Sequence, residues 1–211
     1  MDRPVSGAAG DRHLRPYRAD DLDALYEICL RTGDSGKDAT PIVGDPKLFG
    51  ELFAAPYGVL EPEHAIVLDD GTGRAIGYVL GALDTAAFEA RCEAEWWPPL
   101  RERHPLGSGA VPMDELLIAI FHHPSTAEPE VLVEHPSHLH IDLLPEAQGQ
   151  GWGRQMMTAM LDLMAAAGSP GLHFGVSARN RDGLAFYDHL GIERIADDPM
   201  IKRYGVRFVS D

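Results

Sequence analysis

Residues 138–153, HLHIDLLPEAQGQGWG, constrain the fold more than any other stretch of this 211-residue chain. A strand-like apolar segment runs into a glycine-rich turn. The turn runs into an amphipathic stretch where Met156, Met157, Met160, Leu161 and Met164 recur at helical spacing and Gly168 and Pro170 supply the stop. Gly149, Gly151 and Gly153 remove side chains where backbone N–H groups can converge, and a helix N-terminus adds partial positive charge. The junction therefore reads as a seat for an anion.

Two familiar anion loops do not fit it. A dinucleotide fingerprint needs a third glycine where Arg154 stands and an acid at the end of the next strand, which ends at Ser177. No GxxxxGK[ST] is present for a nucleotide phosphate loop. Within the strand, Leu139, Ile141 and Leu143 point to one side and His138, His140 and Asp142 to the other. The polar set resembles part of an HxHxDH metal motif, but Leu143 replaces its last histidine, so cleft lining is the simpler reading and no metal is expected.

The rest of the chain supplies an alternation of elements. A loose tail is expected over 1–11, then an edge strand near 13–17 and a helix capped by Asp20 or Asp21 that ends at Gly33. A short helix over 46–54 precedes a loop, APYGVLEPE, and a hairpin whose strands 65–68 and 75–83 flank a DDGTGR turn. Residues 84–137 read as an inserted helical segment, in which Trp96 and Trp97 either wall a cleft or pack on the parent fold. After the long helix come a strand over 172–177, a helix capped by Asn180 and stopped by Gly191, and strands near 192–195 and 203–209.

A net charge of −15 repels phosphate backbones and no basic patch offsets it, so nucleic acid is not an expected partner. The acidity suits cationic substrates such as amines, or simply solubility. Cys29 and Cys92 lie far apart within helical patterns, which suits a reduced cytoplasmic protein without a disulfide framework. Residues 1–12 lack a signal peptide's apolar core and no run approaches a membrane span, so neither export nor a membrane is expected.

Gln148-x-x-Gly151-x-Gly153 after Leu143-Leu144-Pro145 resembles the pyrophosphate signature of the GNAT family of N-acetyltransferases. Asn180, Tyr187 and Gly191 in NRDGLAFYDHLGI fall at the spacing of that family's next helix, and the resemblance covers nearly the whole chain. More narrowly, RPYRADDLDALYEIC, the 78–83 strand and LAFYDHLG look like the C-terminal GNAT-like domain of eukaryotic O-GlcNAc hydrolases, here as a stand-alone protein. The resemblance implies a mixed α/β GNAT fold over 12–211, one domain, with the helical insertion before the central strand.

It also implies acetyl-CoA as co-substrate and an amine acceptor, a small molecule or a protein lysine, with a homodimer as one open assembly. Leu143 and Leu144 then supply backbone groups to the pantetheine, with an N–H of one of them facing the oxyanion. The loop of Gln148, Gly149, Gln150, Gly151, Trp152, Gly153 and Arg154 holds the pyrophosphate, and Asn180 adds a contact. Tyr187 resembles the acid that protonates the leaving thiolate, and Asp142, or His140 through water, takes the amine proton. The competing function is a catalytically silent acetyl-CoA-binding or interaction module.

Overall fold

The computed structural model describes residues 11–208, so residues 1–10 of the expected tail lie outside the described residues. The strands are β1 (His13–Pro16), β2 (Ala65–Asp69), β3 (Ala75–Ala82), β4 (Ser137–Leu143), β5 (Gly171–Ser177), β6 (Glu193–Asp197) and β7 (Ile201–Arg207). They form one seven-stranded sheet in the order β1-β2-β3-β4-β5-β7-β6. Neighbours pair antiparallel except β4 and β5, which run parallel.

Before β2 lie helices α1 (Leu22–Thr32), α2 (Leu48–Phe53) and α3 (Ala55–Leu60). Between β3 and β4 come α4 (Thr85–Arg91), a π-helical turn (Cys92–Trp96), α5 (Trp97–Arg103), α6 (Pro112–His122) and α7 (Pro129–Glu134). Helix α8 (Trp152–Ala166) follows β4 and α9 (Arg181–Leu190) follows β5. One expected loop is therefore helical. The APYGVLEPE stretch folds largely as α3, because Pro56 sits in a first turn where its missing N–H costs nothing, and α7 starts likewise on Pro129. Among the described residues no helix is long and apolar enough to cross a membrane.

The methionine stripe is core. Met156, Met157, Met160 and Met164 are buried, and Gly81 of β3 admits them. A Cβ there would stand 2.3 Å from Met164 Cε and 2.7 Å from Met160 Sδ. Gly81 thus marks the α8 face of β3, while Tyr78, of opposite parity, points toward Cys29 of α1 on the other face. The register carries this across to β4. Leu139, Ile141 and Leu143 share the α8 face, and His138, His140 and Asp142 the α1 face.

At the sheet edge Asp21 caps the turn before α1, accepting from the Arg18 N–H at 2.8 Å. It also binds Arg15, whose guanidinium spans Asp21 at 2.7 Å and Asp69 at 2.7 Å, all three groups being buried. Burial opposes ionisation of both acids. Hydrogen bonds from Arg15 and backbone amides outweigh it and hold them below the ordinary carboxylate value, so their stabilisation is present above that value and lost on acidification. Arg15→Ala leaves two buried carboxylates facing each other, and we expect a loss of about 3–5 kcal/mol in urea unfolding at neutral pH.

Candidate active site

Antiparallel pairing decides which backbone groups of β4 are already used. The Leu144 N–H donates to the Ile76 carbonyl at 3.0 Å, and the register Gly77↔Leu143, Tyr78↔Asp142, Val79↔Ile141 carries the alternation back along the strand. The backbones of Asp142 and His140 therefore face β3, and those of Leu143 and Ile141 face β5. Strand β5 pairs with β4 at Ser137↔Leu172 and His138↔His173, after which the two part. The backbone of Ile141 and Leu143 lines the resulting slot. Leu144 turns its N–H to β3 instead, and its carbonyl accepts the Ala147 N–H at 2.8 Å. Of the two N–H groups expected at the oxyanion, that of Leu143 faces the slot and that of Leu144 is already bonded to β3, while Ile141 shares the parity of Leu143.

At the open end of the slot the chain turns into α8. Gly149 (φ 71°) and Gly151 (φ 83°) are left-handed, a conformation that leaves the amides of the turn on its outer side. The first N–H groups of α8 have no intrahelical acceptor, and the amides of Gly149, Gln150 and Gly151 have no protein acceptor among the described residues. Gln148 is a brace rather than a donor. Its N–H bonds the Pro145 carbonyl at 3.2 Å and its side chain bonds the Leu143 carbonyl at 2.8 Å. Gln150 bonds the Glu146 carbonyl at 2.8 Å and receives Arg12 at 2.9 Å, so a residue from the start of the described chain clamps this loop. Gly153 allows α8 to approach the Phe186 ring, 3.1 Å from where a Cβ would stand. Trp152 packs against the core and Arg154 is exposed, with no ion-pair partner among the described residues.

Tyr187 and Asp142 lie on opposite faces of the sheet. His173 shares the α1 face with His138, their rings 5.9 Å apart. Phe174 therefore lies on the α8 face, where Tyr187 packs on it with ring centroids 4.6 Å apart. The Tyr187 ring is buried. Its hydroxyl has no protein partner among the described residues, nor is it one of their enclosed, unpartnered atoms, so it keeps access to solvent. Burial, then the Asp142 charge, raise its pKa well above the ordinary phenol value. Asn180, expected at the cofactor, spends its Oδ1 on the Gly183 N–H at 2.9 Å and is the cap of α9.

Asp142 sits in a polar set. Tyr78 donates to its Oδ2 at 2.8 Å, and His140 Nε2 lies 3.2 Å from the same oxygen. The Phe53 carbonyl can only accept, so His140 Nδ1 carries the proton toward it. Burial lowers the His140 pKa, but the Asp142 charge and both hydrogen bonds outweigh it and the net shift is upward. His138 stands apart from this set. Tyr57 and Thr85 take its two ring nitrogens at 2.7 Å and 2.8 Å, so His138, His140 and Asp142 do not assemble as metal ligands. Beside the slot, on the same face, a cleft of about 320 Å³ lies between β4, β5, α3 and the segment between β3 and β4.

The profile of the Acetyltransferase (GNAT) family matches residues 36–192. The chain belongs to this family. Its fold is that of SsHAT, a solved structure, with a TM-score of 0.87 at 42% identity over 93% of this chain and 98% of that one. Rat protein O-GlcNAcase (Rattus norvegicus) is 29% identical over 186 residues, 87% of this chain, which spans 20% of that relative's length. YncA from Salmonella typhimurium, a putative acetyltransferase solved with its cofactor acetyl-CoA, shares the fold at 11% identity with a TM-score of 0.54, covering 94% of each chain.

Several parts of this candidate site left little or no signal in the sequence. Ile141 has the parity of Leu143 and was findable from strand period alone. The Phe53 carbonyl on His140, the Tyr78 hydroxyl on Asp142 and the Arg12 clamp join residues at least 64 positions apart and left no local signal.

Proposed function

We propose that the chain is an acetyl-CoA-dependent N-acetyltransferase acting on an amine. The observation that carries this is the parting of β4 from β5, with unpaired amides of the α8 turn at one end and Tyr187 and Asp142 on opposite faces of the sheet. YncA is solved with acetyl-CoA and PaiA from Thermoplasma acidophilum with coenzyme A on this fold, which supports the same ligand here.

In this reading the amides of Gly149 to Arg154 hold the pyrophosphate without reorganisation, because fixed dipoles are already aimed at the charge. Arg154 adds a cation and Arg12 keeps the loop in place. Backbone groups of Ile141 and Leu143 pair with the pantetheine, and the N–H that faces the thioester carbonyl stabilises its developing oxyanion. Tyr187 donates its proton to the departing thiolate, and its raised pKa keeps it protonated up to the moment of transfer. The amine must lose a proton to attack. His140, neutral at Nε2, and the Asp142 carboxylate accept it as a pair, which becomes the imidazolium–carboxylate ion pair that their spacing of 3.2 Å allows.

The base assignment predicts a pH dependence. Asp142 raises His140, so kcat rises with pH through an inflection above the ordinary imidazole value of 6.5. Asp142→Asn removes the charge, moves that inflection down and lowers kcat by about 100-fold. An unchanged profile in Asp142→Asn assigns the base elsewhere. The reading as a whole is tested by thiol release from acetyl-CoA with a panel of amines. Amine-dependent release is expected, and tight acetyl-CoA binding without release on any amine marks a silent binding module instead.

A further inference from the structure

The cleft beside the slot bears on the acceptor, and this inference rests on the acetyl-transfer reading. Its volume of about 320 Å³ is at the lower end of small-ligand sites, which run from about 300 to 1,000 Å³, and exceeds what one unbranched lysine stem fills. Rings form its walls. Tyr57 and Phe88 stack with centroids 4.6 Å apart, His138 meets each edge-on at 5.4 Å, and Phe53 meets His140 edge-on at 6.2 Å. Trp97 adds a sixth ring from the segment between β3 and β4.

The polar atoms of these walls are largely consumed. Thr85 gives its hydroxyl proton to the Pro136 carbonyl at 2.7 Å, so it accepts from His138 Nδ1–H, and His138 Nε2 accepts from the Tyr57 hydroxyl. His138 is thereby fixed as a neutral ring. Burial and the neighbouring His173 and His140 push its pKa down to about 3. His173 Nδ1 donates to the His135 carbonyl at 2.8 Å. Glu89 accepts the Ala127 N–H at 2.9 Å, and its burial raises its pKa, which disfavours a fixed negative charge. A polyamine needs several acids and a peptide backbone needs unpaired main-chain partners. An aromatic ring needs faces and edges, which these walls offer.

We propose that the acceptor is a small primary amine on an aromatic body, the ring lying in this cleft and the amine directed to the slot. The segment between β3 and β4 then sets specificity, since Phe88, Trp97 and Ala127 come from it. Ala127 is half-buried and lines the cleft, and its bond to Glu89 uses the backbone N–H, which survives substitution.

The test compares phenethylamine, propylamine, spermidine and a lysine peptide on wild type and Ala127→Phe. It measures kcat/KM by CoA release and, separately, amine binding by calorimetry with CoA present. Phenethylamine is expected to exceed propylamine in kcat/KM by about 10–100-fold, the worth of burying a ring. Ala127→Phe should remove about tenfold of that preference while sparing propylamine. Preference for spermidine or the peptide overturns the proposal and leaves acetyl transfer standing. No turnover on any amine overturns the transfer reading, and calorimetry then decides the acceptor class. Phenethylamine binding that Ala127→Phe weakens upholds it, and no phenethylamine binding overturns it.

Discussion

Tyr187→Phe is expected to lower kcat by about 100- to 1,000-fold while acetyl-CoA affinity and unfolding temperature stay close to wild type. The separation follows from where the hydroxyl lies. The ring packs on Phe174, Phe186 and Tyr204, with centroids 4.6, 5.0 and 5.4 Å away, and phenylalanine keeps all of that. The hydroxyl has no protein partner among the described residues, so its removal leaves no buried group unpaired. What is lost is the proton for a leaving thiolate. The defect should therefore shrink with a thioester whose thiol is more acidic. A Tyr187→Phe enzyme of wild-type kcat across the pH range removes Tyr187 from the chemistry.

Gly151→Val is expected to weaken acetyl-CoA binding by about 100-fold. At φ 83° a β-branched residue is strained by at least about 1–2 kcal/mol, and the chain relieves this by rotating toward negative φ. A Cβ at Gly151 meets nothing within 4 Å, so the effect does not come from a clash within the protein. It comes from turning away the amides at the start of α8, each of whose charge-assisted bonds to phosphate is worth about 1.5–3 kcal/mol. Isothermal titration with acetyl-CoA checks it, and affinity within threefold of wild type would place the pyrophosphate elsewhere.

The junction of β4 and α8 was legible because its determinants are local. Glycines at left-handed positions, a methionine stripe at helical spacing and the Asn180 cap each act within a few residues, and each stands where the sequence put it. The family motifs likewise carried the fold class and the order of the main elements along the chain. What failed depended on partners distant in sequence or on hydrogen bonds already made. Leu144 looked equivalent to Leu143 until pairing with Ile76 took its N–H, and Gln148 looked like an anion donor until its amide closed on Pro145. Residues 55–60 carried a proline and a glycine and read as loop. Packing of Ala55, Gly58 and Leu60 into the interior made them α3. His138, His140 and Asp142 shared one face as the strand period required, yet their roles separated only through Tyr57, Thr85, Phe53 and Tyr78, which come from other elements.

SsHAT aligns over nearly its full length, whereas the O-GlcNAcase match spans a fifth of that protein. The account rests on one placement, acetyl-CoA in the slot between β4 and β5. A crystal structure with acetyl-CoA tests this most directly. The pyrophosphate is expected on the amides of Gly149 to Arg154, the pantetheine paired with Ile141 and Leu143, and the thioester sulfur within hydrogen-bonding reach of the Tyr187 hydroxyl. A pyrophosphate bound away from the α8 turn, or a thioester on the far side of β4 from Tyr187, would contradict it.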